Sequence, residues 1–226
     1  QIFPAMLAAI RGAERTIDFM TYVYWTGAIT ETFAQALAER AHAGVRVRVL
    51  LDGFGSRTMD AAQLDQLRDA GAEVVRFRPL SWKLWRLNMR THRRVLVCDE
   101  AVAFTGGVGI SQEWAGDAQG PDEWRDTHFR LEGPAVDGIH AAFYQDWLET
   151  EHAPFDRTDQ FPLRDPAGTS AVQVLRAASQ PGWNEMALAL WALLSMARRR
   201  IRVTSAYFRP HQHFVRLLCD AAEGEA

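Results

Sequence analysis

Residues 3–78 alternate between two hydrophobic periods, and that alternation leaves few folds open. Phe3, Met6, Leu7 and Ile10 recur at helical spacing. Residues 15–25, RTIDFMTYVYW, are rich in β-branched and aromatic side chains and predict a strand. Residues 28–44 predict a helix ended by Gly44, 45–52 a strand, 60–72 a helix closed by Gly71, and 73–78 a strand. A chain that switches in this way can bury each helix only against a sheet, so the architecture expected is α/β. RRVLVCD (93–99) and VAFTG (102–106) predict two further strands, and Asp99 with Glu100 between them predicts a hairpin. Residues 126–133 read as another strand, and 134–150 as a helix with Pro134 in its first turn.

With 226 residues, 48% of them hydrophobic, the chain can build one large core or one and a half domains. Pro154, Pro162, Pro166 and Gly168 mark residues 152–170 as a linker between a first unit, 1–151, and a second, 171–226. The second repeats the opening of the first. Leu190, Trp191 and Leu194 fall where Met6, Leu7 and Ile10 fell, and Ile201, Val203 and Ser205 where Ile17, Phe19 and Thr21 fell. The net charge of −3 argues against a generally basic nucleic-acid binder. Cys98 and Cys219 are expected to be reduced and buried, with no disulfide framework. No apolar run reaches 18 residues, so nothing here is expected to span a bilayer as a helix. No secretory signal is visible, and Gln1 opens inside a helix-like segment, so residues upstream are expected.

The chemistry concentrates in THRRVLVCDEAVAFTGGVGI, 91–110. His92, Arg94 and Asp99 stand at H-x-R-x4-D spacing, followed by Gly106, Gly107 and Gly109. Residues two apart on a strand share a face, so His92 and Arg94 are expected to project together. An imidazole can attack phosphorus or shuttle a proton near neutral pH. A guanidinium can hold two phosphoryl oxygens, and glycines let backbone N–H groups approach an anion.

This run resembles the first HxKxxxxD motif and glycine turn of the phospholipase D superfamily, most closely its bacterial cardiolipin-synthase-like members. Residues 45–56 and 124–147 resemble the segments that flank the motif there. Two positions depart: Arg94 stands for the motif lysine, and Gly109 for an asparagine. The resemblance implies a mixed sheet sandwiched by helices and a phosphohistidine intermediate on a glycerophospholipid. It also implies chemistry that needs neither metal nor cofactor, with water or an alcohol as acceptor. In that family two motifs meet across a pseudo-two-fold interface. Only one lies here, so the chain is expected to be a first lobe with an incomplete second, inactive alone, partnered in cis or in a homodimer. A bacterial protein, cytoplasmic or peripheral at the inner membrane, is expected. A nuclease of the same superfamily and a degenerate phosphate- or membrane-binding lobe are the competing readings.

Under that resemblance the catalytic residues are His92, as nucleophile or general acid, Arg94, Asp99 and Asp126, with Gly106, Gly107 and Gly109 against the phosphate. Asp126 is assigned to orient His92, and Asp99 to hold the turn and strand ends. His128 shares the face of Asp126 and reads first as a satisfied structural histidine. Trp82, Lys83, Trp85 and Arg86 interleave aromatic and basic side chains and suggest a membrane or substrate loop. His211 and His213 lack further ligands at metal spacing and read as loop or helix-start residues.

Overall fold

The computed structural model of the chain describes residues 2–79, 90–150, 163–177, 185–205 and 207–223. They divide into two compact units, 1–174 and 175–226. The first is α/β, and its elements run α1 (Ile2–Gly12), β1 (Thr16–Thr21), α2 (Ala28–His42), β2 (Arg46–Asp52), α3 (Ala61–Asp69) and β3 (Glu73–Phe77). After these come β4 (Val95–Cys98), β5 (Val102–Gly106), β6 (His128–Glu132) and α4 (Ala135–Trp147).

The six strands form one mixed sheet in the order β3-β2-β1-β4-β5-β6. β1, β2 and β3 are parallel, as their helical crossovers require, whereas β4, β5 and β6 pair antiparallel. The hairpin between β4 and β5 turns at Asp99 and Glu100, whose φ angles of 53° and 59° have the sign of the mirror-image turns that suit twisted strands. Asp99 also locks this end of the sheet. Its carboxylate accepts the backbone N–H groups of Glu14 (2.9 Å), Arg15 (2.7 Å) and Thr16 (2.9 Å), where β1 begins.

Each face of the sheet carries its own core. On one side Phe3, Met6 and Ile10 of α1, Phe33 and Leu37 of α2, and Leu64 and Leu67 of α3 cover Ile17, Phe19, Val49, Leu51, Leu96 and Phe104. On the other, Val136, Ile139, Phe143 and Trp147 of α4 cover Met20, Leu50, Val95, Val97 and Ala103. An ionic group is buried within the second layer. Asp18 and Arg48 are register partners on β1 and β2 and form a two-point ion pair of 2.6 and 2.7 Å. His140 Nε2 lies 2.6 Å from the same carboxylate, and Arg48 also donates to the Tyr144 hydroxyl at 2.7 Å. Burial alone would raise the Asp18 pKa, but His140 and Arg48 outweigh it and hold the carboxyl below the usual carboxylate range. Residues 163–174 belong with this unit: Arg164 pairs with Asp137 at 2.9 Å, and Val174 packs against Gly138.

The second unit contains α5 (Glu185–Ser195) and α6 (Gln212–Glu223). The helices expected from the repeat are present, but residues 201–205 do not form the strand that the match to Ile17–Thr21 implies. A strand exists through its ladder, and no described residue pairs with this segment. Cys98 is buried, and burial pushes its thiol up to about 12. Cys219, expected to be buried, is exposed on α6, a helix with no buried residue. No described helix is long and apolar enough to cross a membrane.

Candidate active site

The sheet topology gathers His92, Arg94 and the glycine turn at one edge. β1, β2 and β5 end there, and β4 and β6 begin there. Tyr22 therefore follows β1, Asp52 closes β2, residues 90–94 lead into β4, Gly106 to Gly109 leave β5, and Asp126 and His128 enter β6.

The ladder assigned to β4 starts at Val95, yet residues 91–94 already alternate. Thr91 and Arg93 face α4: the Thr91 hydroxyl donates to Asp146 at 2.6 Å, and Arg93 donates to Asp146 at 2.8 Å and to the Ala142 carbonyl at 3.0 Å. The Thr91 N–H donates to Asp52 at 3.2 Å. With the odd residues tied down, His92 and Arg94 project together from the opposite side, as the two-residue period requires. Arg94 Nη1 donates to the His92 carbonyl at 3.1 Å.

His92 is exposed, and one face of its ring stacks on Tyr22, with centroids 3.8 Å apart and planes 20° from parallel. Its pKa is lowered by partial burial first and by the Arg94 charge second, against a weaker opposing pull from Asp52. The resting imidazole is thereby biased toward its neutral form, the one whose nitrogen lone pair can attack.

Arg94 belongs to a row that runs Thr21, Arg94, Gly106, His128 across β1, β4, β5 and β6, by extension of the strand register. Gly106 carries no side chain and has φ 158°. A Cβ there would meet His128 Nδ1 at 2.8 Å, so the imidazole lies over the glycine. His128 was expected to be satisfied, and it is not: both ring nitrogens are buried with no hydrogen-bond partner, as is Arg94 Nε. Burial, then Arg94, push the His128 pKa down to about 4, so the ring is neutral. Asp126 packs against Gly107, whose Cβ would overlap its carboxylate. The field of Asp126 reaches Arg94 and His128. Among the described residues no side chain hydrogen-bonds the His92 ring, and the carboxylate whose charge reaches it is Asp52 rather than Asp126. Asp99 stands at the far end of β4, committed to the start of β1.

Tyr22 and Asp52 were not singled out in the sequence. Asp52 Oδ1 accepts the N–H groups of Phe54 and Gly55, both at 2.9 Å, and so shapes the turn after β2. A polar residue closing an apolar strand ahead of G-F-G was the available signal. Tyr22 offered none, because an aromatic at a strand end is ordinary. Gly109 has no room for the side chain it replaces: a Cβ would meet Val23 at 2.7 Å and Trp114 at 3.0 Å. Trp114 forms an aromatic cluster with Trp25 and Trp124 beside the glycine turn. Trp82, Lys83, Trp85 and Arg86 lie outside the described residues. His211 and His213 stack at 5.3 Å around the start of α6. Among the described residues no group of three or more histidine, cysteine or acidic side chains could hold a metal ion.

The family described as cardiolipin synthase, PLD-like domain, matches residues 6–119, which hold β1 to β5 and the glycine turn. The chain belongs to the phospholipase D-like family. Phospholipase D-like relatives include cardiolipin synthase 1 of Bacillus anthracis, 32% identical over 96% of this chain and 45% of its own length. The cardiolipin synthase of Geobacillus kaustophilus is 32% identical over 98% of this chain and 45% of its own. This chain thus spans about half the length of the curated relatives it matches. Among solved structures, the phosphatidylserine synthase of Haemophilus influenzae shares the fold. Its TM-score is 0.69 at 13% identity, covering 99% of this chain and 57% of that one.

Proposed function

We propose that this phospholipase D-like lobe is part of a phosphatidyltransferase that acts on glycerophospholipids, in the manner its cardiolipin synthase relatives are named for. The observation that carries the reading is the exposed, neutral-biased His92 imidazole beside the Arg94 guanidinium at the mouth of a glycine turn. A general acid must hold its proton at neutral pH. A ring whose pKa is depressed suits the nucleophile instead.

In the proposed reaction a ring nitrogen of His92 attacks phosphorus and the bond to the leaving alcohol breaks. The alkoxide takes a proton from an acid supplied by a second lobe. That second-lobe group, now deprotonated, takes the proton of an acceptor alcohol, whose oxygen attacks the phosphohistidine as the phosphorus–nitrogen bond breaks and its electron pair returns to the His92 ring. Water in that role gives hydrolysis. Arg94 offsets the charge that gathers on the phosphoryl oxygens in each step. Gly106 and Gly107 keep the phosphate approach free of side chains, and Asp126 aligns Arg94. No cofactor is assigned. The second lobe is supplied in cis or by another copy of the chain, and the enzyme works at a membrane surface.

The test is incubation of the natural full-length polypeptide with phosphatidylglycerol vesicles in the presence of a chelator, with products read by mass spectrometry. A phosphatidyl-transfer product, or phosphatidic acid, is expected, together with its loss in His92→Ala. Full activity in His92→Ala overturns the role of His92. Cleavage of single-stranded DNA with no lipid product assigns the site to nucleic-acid phosphodiesters instead.

A further inference from the structure

A nucleophilic histidine needs its ring plane fixed, and the usual device is a carboxylate hydrogen-bonded to one ring nitrogen. Here no such bond exists among the described residues. The Asp126 carboxylate lies against Gly107 and accepts the Thr127 N–H at 2.7 Å, and Asp52 spends its carboxylate on the backbone N–H groups of Phe54, Gly55 and Thr91. What touches the imidazole is the Tyr22 ring, 3.8 Å away and 20° from parallel.

Tyr22 is itself backed. The Ser56 hydroxyl donates to its carbonyl at 2.9 Å, and a Cβ on Gly55 would meet its ring carbons Cδ2 and Cε2 at 2.9 Å. The Gly55 backbone therefore closes against the phenol ring on which the imidazole stacks. From the other direction the His92 backbone is held by its neighbours, through Thr91 on Asp52 and Asp146 and through Arg93 on Asp146. Backbone and ring plane are fixed by separate groups.

We propose that Tyr22 is the positioning residue of His92, holding the imidazole plane by stacking and leaving both in-plane nitrogens free to exchange bonds with substrate. The inference rests on the phosphoryl-transfer reading of this site and deepens it. Stacking occupies the π face, whereas attack on phosphorus uses a lone pair in the ring plane, so orientation and reactivity do not compete. Only the ring is required: nothing among the described residues hydrogen-bonds the Tyr22 hydroxyl. The stack also shields one face of the imidazole from water. The charged and titratable groups facing His92 are Arg94 on its own segment, Asp52 at the end of β2 and Tyr22 after β1, with Arg57 and Arg90 near Tyr22.

The test has two arms on Tyr22→Phe and Tyr22→Leu. In the first, histidine ring protons of this chain are followed by NMR through a pH titration, with His92 assigned by its absence in His92→Gln. An upfield ring-current shift of His92 is expected in the wild type and in Tyr22→Phe. In Tyr22→Leu that shift is expected to vanish and the His92 pKa to move upward, with the remaining histidine signals unmoved. Equal shifts and equal titration in all three proteins overturn the stack. In the second arm, Tyr22→Leu lowers kcat of the full-length enzyme by about tenfold or more with KM nearly unchanged, as a misoriented nucleophile does. Tyr22→Phe restores most of the rate. An unaffected kcat in Tyr22→Leu overturns positioning while leaving the function intact. A wild type without turnover, but with the NMR result as expected, refutes the proposed reaction and not the stack.

Discussion

Asp99→Ala separates holding the fold from doing the chemistry at the last residue of the motif. The Asp99 carboxylate receives three backbone N–H groups, from Glu14, Arg15 and Thr16, and its carbonyl receives Arg15 Nη2 at 2.9 Å. Hydrogen bonds to a charged acceptor contribute about 1.5–3 kcal/mol each, and with solvent nearby about 1 kcal/mol apiece is the fairer figure. Alanine also loses the tolerance of aspartate for φ 53°, worth roughly another 0.5–1 kcal/mol. The sum is about 3–4 kcal/mol. Asp99→Asn keeps the left-handed turn and one carbonyl oxygen for Arg15 and Thr16, so about 1–1.5 kcal/mol is expected. For a unit of this size each kcal/mol moves Tm by about 2–4 °C, which puts the two variants roughly 4–10 °C apart. Asp99 lies seven positions beyond His92 along an extended segment, roughly 23 Å away. At temperatures where both variants are folded, turnover should therefore stay near wild type. Urea unfolding followed by circular dichroism measures the first quantity and phosphatidyl transfer the second. Stability within about 0.5 kcal/mol of wild type for Asp99→Ala, or complete inactivity of a fully folded variant, would refute the reasoning.

Arg48→Met should cost about 3–5 kcal/mol in urea unfolding, because it leaves Asp18 buried without its two-point partner. Arg94→Ala should lower kcat far more than Arg94→Lys, since lysine keeps the charge; equal losses would mean that the planar fork is what the phosphate needs. His128 gives a signed pH dependence. Its folded pKa of about 4 lies below the unfolded value of 6.5, so the unfolded chain binds the proton first and stability falls as pH drops from 6.5 toward 4. His128→Gln should remove that decline in urea midpoints measured across the window, and an unchanged slope would contradict the burial of the ring.

Much of the first unit could be read from the chain because its signals are local. Gly44 and Gly71 sit just past α2 and α3, with φ of 87° and 91°, where the helical period stops. The hairpin followed from two turn residues between apolar runs. β1 ends at Thr21 rather than at residue 25, because Tyr24 instead bridges Ile110 and Trp25 bonds its carbonyl beyond the glycine turn. That pairing joins segments 86 residues apart, and periodicity cannot see it. The site divides in the same way. His92, Arg94 and the glycines were legible as one short motif. The groups that surround His92, Tyr22 and Asp52, arrive from other strands and are set by sheet order. Asp126 enters β6 at the expected place in sequence, where its carboxylate lies against Gly107 and accepts the Thr127 N–H.

The buried Asp18–Arg48–His140 group acts on the catalytic edge through α4. A helix advances roughly 100° per residue, so slipping α4 by one position would pull His140 off its carboxylate inside an apolar layer. That helix also presents Asp146, which grips Thr91 and Arg93 on either side of His92. The polar group thus serves as an indexing pin: it admits one rotational setting of the helix, and that setting aims the histidine. Substitutions at positions 18, 48 or 140 should therefore lower turnover of the folded fraction as well as stability.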